Sequence, residues 1–199
     1  MSLSGIWLYC SRALCLAVPV ALLWSVLYEV RRRRRKEVFT AGHFLCSVLF
    51  AAYLAALVQI IVVRDWQDFF DLSHTGTKTE IIWIPLKTTL QDAQEMGILW
   101  ECYHAIGNMA WFVPFGFLGA ALYPRLRTWC VLPWVTLGVS FLLEFSQWIF
   151  QTGVSDVDDL ILNTLGGCAG FLLWRLWVKW RKKPLHGNAA AIKINERLE

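Results

Sequence analysis

The side chains that could do chemistry are few and regularly spaced. Ser140, Glu144, Gln147 and Gln151 recur at intervals of four, three and four residues, so at about 100° per residue they occupy one narrow sector of a helix. Asp159, Asn163, Gly166 and Gly170 share a second face, and Asn108, Phe112, Phe115 and Gly119 a third. Asp156, Asp158 and Asp159 form an acidic group just ahead of the last apolar run. Carboxylates and amides of this kind suit a pocket that binds a ligand through hydrogen bonds. They also suit an acid/base pair, Glu144 with Asp158 or Asp159, whose differing environments would separate their proton affinities. Acidic residues at a helix start have a simpler use as caps for its free N–H groups, a use that covers one of the three more easily than all of them.

Other chemistries lack their residues. No nucleophile and base are paired, no His-rich cluster has metal-ligand spacing, and no glycine loop is built for phosphate. The six cysteines show no Cys-x-x-Cys spacing and fall mostly in apolar runs, where Cys acts as a small hydrophobe. The reading is therefore one without metal or cofactor, inclined away from an enzyme. His104, near Glu101, reads as an incidental interfacial residue.

The elements that carry these groups follow from composition. Of 199 residues, 57% are hydrophobic and 17% charged, with a mean hydropathy of +0.46. An average soluble domain is about half apolar and a quarter charged, so lipid is the expected surroundings. Five stretches, roughly residues 6–30, 39–63, 104–123, 128–150 and 159–180, approach the ~20 apolar residues that a ~30 Å hydrocarbon core requires. Only helices satisfy their own backbone there. The expected fold is an all-α polytopic membrane helix bundle of about five transmembrane helices, a single domain over residues 1–183 followed by a weakly ordered cytoplasmic tail, 184–199.

Charge sets the orientation. Arg31 to Lys36, Arg125 with Arg127, and the group from Arg175 to Lys183 all fall on one side, while the loop between the second and third stretches is mainly acidic. The positive-inside rule puts the N-terminus outside and the C-terminus in the cytoplasm. The net charge of +4 is thereby assigned to topology, with no nucleic-acid partner. Arg31 to Arg35 could in addition meet anionic lipid. Trp66, Trp83, Trp100, Tyr103 and Trp148 are expected near the outer boundary, and Trp24, Tyr28, Tyr123, Trp129, Trp177 and Trp180 near the inner one. In the outer loop, Ile81 to Leu86 is a short apolar block closed by Pro85, expected to form a re-entrant turn or a surface helix over the bundle.

On this topology Glu144 sits about 9 Å below the outer end of its span, and Asn108 and Asn163 about 6 Å below it, at 1.5 Å per residue. A carboxylate at that depth must be neutralised, paired or wetted. The groups could be polar glue between helices, each contact giving under ~2 kcal/mol, or could line a pocket open to the outer leaflet. Gly166 and Gly170 have the spacing that lets helix backbones approach, within this bundle or in a dimer.

Three motifs carry a family resemblance. Asn108-Met109-Ala110-Trp111-Phe112-Val113-Pro114-Phe115-Gly116-Phe117, then Glu144-Phe145-Ser146-Gln147, then Gly153 through Asp156, Asp158, Asp159 and Asn163 to Gly167 resemble the VanZ-like family of bacterial membrane proteins over about residues 81–173. Some members have an arginine where this chain reads Thr152-Gly153-Val154-Ser155. The resemblance implies a multi-pass protein of the bacterial cytoplasmic membrane, acting in the cell envelope and in glycopeptide (teicoplanin) resistance.

Three functions are compatible with these residues. In the first, Asn108, Glu144, Gln147, Asp156, Asp159 and Asn163 line an outward-facing site for a membrane lipid, a cell-wall precursor or a lipoglycopeptide antibiotic. In the second, Glu144 and Asp158 or Asp159 are acid/base groups of an intramembrane enzyme acting on a lipid-linked substrate. In the third, Glu144 is the proton site of a carrier, a reading weakened because the last three spans hold no further ionisable residue toward the cytoplasm.

Overall fold

The computed structural model describes residues 3–36, 40–63, 81–152 and 154–181, with side chains described from residue 18 onward. The segment 64–80, including Trp66, and the tail 184–199 lie outside the described residues. The described chain is helical, with six α-helices and two very short strands.

Helix α1 (Leu3–Arg34) continues through four arginines; these are good helix formers, and their charge favours the negative end of the helix dipole. Helix α2 (Ala41–Val58) passes into a π-helical turn, Gln59–Val63. Strand β1 (Ile81–Ile82) precedes α3 (Lys87–Glu95), a short helix entered through Leu86 in the left-handed region, φ 65°. The apolar block Ile81 to Leu86 is thus itself a two-residue strand and a turn, and the short helix begins only after it, at Lys87.

Gly97, at φ 94°, turns the chain into α4 (Ile98–Leu122). This helix begins six residues ahead of the expected start, because residues 98–103 contain no helix breaker even though Glu101 lowers their hydropathy. Helix α5 (Leu132–Phe150) begins later than expected: Pro133 is tolerated only in a first turn. Strand β2 (Ser155–Asp156) pairs in parallel with β1, Ile81 with Ser155 and Ile82 with Asp156. Helix α6 (Val157–Arg181) follows directly.

Three segments, Ala41–Val62, Ile98–Leu122 and Val157–Arg181, are long and apolar enough to cross a membrane. Helices α4 and α6 form the closest pair, packed backbone on backbone. A Cβ on Gly116 would stand 1.9 Å from the Gly167 carbonyl oxygen, one on Gly166 2.1 Å from that of Met109, and one on Gly170 1.9 Å from that of Val113. Gly166 and Gly170 are therefore used inside this bundle. Phe50 and Leu57 of α2 meet Phe112, Phe115 and Leu122 of α4 and Leu143 of α5 in the main apolar core. Pro114 has no N–H for the preceding turn of α4, and beside it the Tyr53 hydroxyl donates to the Trp111 carbonyl at 2.6 Å.

Burial is inverted relative to a water-soluble globule. Glu29, Glu101, Thr136, Ser140, Glu144, Gln147, Asp158 and Asn163 are buried, whereas Leu23, Leu142, Leu173 and Trp134 are among many large apolar side chains left exposed. Such a surface is that of a membrane protein.

Candidate functional site

Helix spacing puts the polar residues on inward faces, and the contacts between helices then sort them. Between α4 and α6, Asn108 Nδ2 donates to Asp159 Oδ1. Between α6 and α5, Asn163 Nδ2 donates to Ser140 Oγ at 2.9 Å, both residues buried. Gln147 Nε2 donates at 2.9 Å to the carbonyl of Ile61, in the π-helical turn that follows α2. Of the predicted face of α5, Ser140 and Gln147 are thus turned toward neighbouring helices. Gln151 ends α5 at φ 54° and is exposed, as is His104.

The three aspartates divide the work at the start of α6. Asp156 Oδ1 accepts the amide N–H of Asp158 at 2.9 Å, the geometry of an N-cap. Asp158, 7% exposed, reaches across to the β1–α3 segment: its Oδ1 accepts the Leu86 amide N–H and its Oδ2 the Thr89 hydroxyl, both at 2.8 Å. A carboxylate at the first turn of α3 is also favoured by that helix's dipole. Asp158 thereby clamps the β1–α3 segment onto the bundle, and the parallel pairing of Ile81 and Ile82 with Ser155 and Asp156 holds the same segment a few residues earlier.

Under this strap lies a cleft of about 220 Å³. Its walls are apolar, chiefly Ile82, Trp83, Phe141, Phe145, Trp148 and Leu160, and Glu144, Ser155 and Asp156 supply its polar atoms. Glu144 is 6% exposed, and its backbone carbonyl accepts the Ser155 hydroxyl at 2.7 Å. This ties α5 to β2 at the cleft wall. Glu144 and Asp156 therefore border the cleft, while Asn108, Gln147, Asp159 and Asn163 lie in the helix contacts behind it. Among the described residues no group of three or more His, Cys, Asp or Glu side chains is placed to hold a metal ion.

Several participants escaped the sequence reading. Ser155, Thr89, the Leu86 amide and the Ile61 carbonyl are partners of residues that it did identify, but each contact joins positions 11 to 86 residues apart. No local pattern encodes such pairs. The apolar lining was visible only as the unusual Ile81-Ile82-Trp83 block.

The VanZ/LLP1 family profile matches residues 49–178. Protein VanZ of Enterococcus faecium is 26% identical over 135 residues, which cover 68% of this chain and 76% of that protein. No solved structure matches the chain. The profile match runs from the middle of α2 almost to the end of α6 and takes in the glycine contact, the aspartate clamp and both walls of the cleft, so the geometry described above is built within the shared region: the chain belongs to the VanZ/LLP1 family.

Proposed function

We propose that this chain is a multi-pass protein of the bacterial cytoplasmic membrane that contributes to glycopeptide resistance, teicoplanin in particular. It does so by holding a membrane lipid, a lipid-linked cell-wall precursor or the acyl part of a lipoglycopeptide in the cleft beneath the β1–α3 strap. The observation that carries this reading is the cleft's composition: its almost wholly apolar walls match the acyl part of such a ligand, and Glu144 and Asp156 are among the lining residues that could meet its polar part. In this proposal α1 and α5 also cross the membrane, giving five spans with the N-terminus outside and the C-terminus in the cytoplasm. Two observations support the orientation. Arg31, Arg32 and Arg35 share one cavity with Arg125 and Arg127, and Arg127 stacks 5.2 Å from the Trp174 ring of α6, so the basic clusters gather at one end of the bundle. The cleft lies toward the other end.

The binding role is favoured over acid/base chemistry because Asp158 and Asp159 already accept hydrogen bonds from Leu86, Thr89 and Asn108. Glu144→Gln separates the two, since it keeps shape and hydrogen bonding and removes titration. In cells expressing the full chain, Glu144→Gln is expected to retain most of the teicoplanin tolerance, and Leu160→Trp, which fills the cleft, to abolish it. Vancomycin, without the acyl chain, is expected to be affected less by either the protein or its loss. Abolition by Glu144→Gln would replace binding with a titrating mechanism, and equal effects on both drugs would point to altered precursor chemistry.

A further inference from the structure

The opposite end of the bundle carries a second cavity, of about 660 Å³, where the C-terminal ends of α1 and α4 meet the start of α2. Five arginines line it: Arg31, Arg32 and Arg35 from the end of α1, and Arg125 and Arg127 from the turn after α4. Among the described residues no carboxylate lines it. Glu29, the acidic residue closest along α1, is buried and held by Arg32 at 3.3 Å and Arg33 at 3.9 Å. Arg127 is committed to structure: its Nε and a terminal guanidinium nitrogen donate to the Ala120 and Ala121 carbonyls at 2.9 and 3.1 Å, closing the end of α4. Arg31, Arg35 and Arg125 are exposed at the rim. The partial negative charge of two helix ends, about half an elementary charge each, does not offset this concentration of guanidinium groups.

The apolar surroundings decide which anion fits. Val20, Leu23 and Leu27 are exposed along α1, and their spacing of three and four residues continues through Arg31 to Arg35 on the same helix face. An exposed apolar lane thus runs straight into the cavity mouth. Trp24, Tyr28 and Tyr123 line the cavity at the junction, the level at which aromatic rings mark a membrane–water boundary. A free phosphate would use the arginines and leave this lane without a role; a phospholipid uses both.

We infer that this cavity binds the head group of an anionic phospholipid, its phosphate taken by Arg31, Arg35 and Arg125 and its acyl chains lying along the Val20, Leu23 and Leu27 face of α1. Guanidinium forks match phosphate oxygens in pairs, and basic pockets between membrane helices are suited to such head groups. The site is independent of the outer cleft and of what occupies it.

The test uses the full-length protein in detergent micelles, with lipid retention read by native mass spectrometry. Phosphatidylglycerol is expected to be retained, phosphatidylcholine of the same chains not, and millimolar inorganic phosphate to leave phosphatidylglycerol in place. Combined Arg31→Gln, Arg35→Gln and Arg125→Gln should weaken retention about a hundredfold, at about fivefold for each arginine near an anionic lipid. Arg175→Gln with Arg181→Gln, at the same end of α6, should leave it unchanged. If the triple Gln variant fails to fold, the triple Arg→Lys variant keeps the charge and loses the forks, and is expected to retain the lipid several-fold less well. Equal retention of phosphatidylcholine, displacement by inorganic phosphate, or an equal loss in the Arg175/Arg181 variant would overturn the assignment.

Discussion

Asp158 is the residue on which the cleft beneath the strap most depends, since a single carboxylate holds both a backbone amide and a hydroxyl of the strap. Hydrogen bonds to charged groups are worth about 1.5–3 kcal/mol each, and both oxygens lie in a site only 7% exposed. Asp158→Ala is expected to release β1 and α3 while α4 and α6 stay folded. Amide hydrogen exchange should then speed up at Leu86 and through Lys87–Glu95, with little change in the buried turns of α6. Asp158→Asn keeps one acceptor oxygen and should fall between. Unchanged exchange at Leu86 in the alanine variant would remove the clamp from the account. At this scale the sequence was partly legible. Periodicity picked out Ser140, Glu144, Gln147, Asn163 and Asp159 as inward-facing. It could not say that they form separate pairs, because their partners lie on other helices. The cap made by Asp156 was readable from its place before α6, whereas the clamp made by Asp158 needs α3, more than sixty residues earlier, and has no signature in its own neighbourhood.

Among the elements, the α4–α6 pair has the least freedom. Its glycines leave no room for even one carbon: a Cβ at Gly170 would fall 1.9 Å from the Val113 carbonyl oxygen and 2.9 Å from the Phe117 nitrogen, a rigid backbone neighbour in each case. Gly170→Ala or Gly116→Ala must therefore push the helices apart, at a cost of about 1–3 kcal/mol by the scale of overpacked cores. Gly138 in α5 has nothing within 4 Å of its would-be Cβ, so Gly138→Ala should be neutral or gain up to about 1 kcal/mol by reducing backbone freedom. Thermal unfolding of the three variants in one detergent checks the contrast, and equal midpoints for Gly170→Ala and Gly138→Ala would mean that α4 and α6 do not pack in this way. The spacing of Gly166 and Gly170 pointed to close helix approach, and Pro114 to a loosened turn. Pairing of β1 with β2 was beyond reach, since two-residue strands whose partners lie 74 residues apart show neither alternation nor a turn motif. Helix starts were not legible from hydropathy: the spans expected from residues 104 and 128 begin at Ile98, directly after Gly97, and at Leu132, directly ahead of Pro133, because hydropathy fades gradually while the backbone breaks at a particular residue.

The whole molecule is organised by an exchange of inside and outside. Polar side chains are buried in helix contacts and apolar ones cover the exterior, so the medium that solvates the chain determines how it stands as well as how it folds. Composition made this legible at once, because 57% hydrophobic and 17% charged residues leave too little polar surface for water. Orientation is a separate matter and rests on the arginines gathering at one end. Two exposed cysteines give a direct measure of it: Cys102 lies near the start of α4, on the cleft side, and Cys130 lies between α4 and α5, on the arginine side. In intact cells carrying variants that keep only one of them, a membrane-impermeant maleimide is expected to label Cys102. Cys130 should react only after the membrane is opened. The reverse pattern would place the cleft in the cytoplasm, where an external glycopeptide could not reach it, and the proposed role in resistance would fail with the orientation. The arginine cavity would survive such a reversal, because its case depends on lying at a lipid boundary and not on which leaflet supplies the lipid.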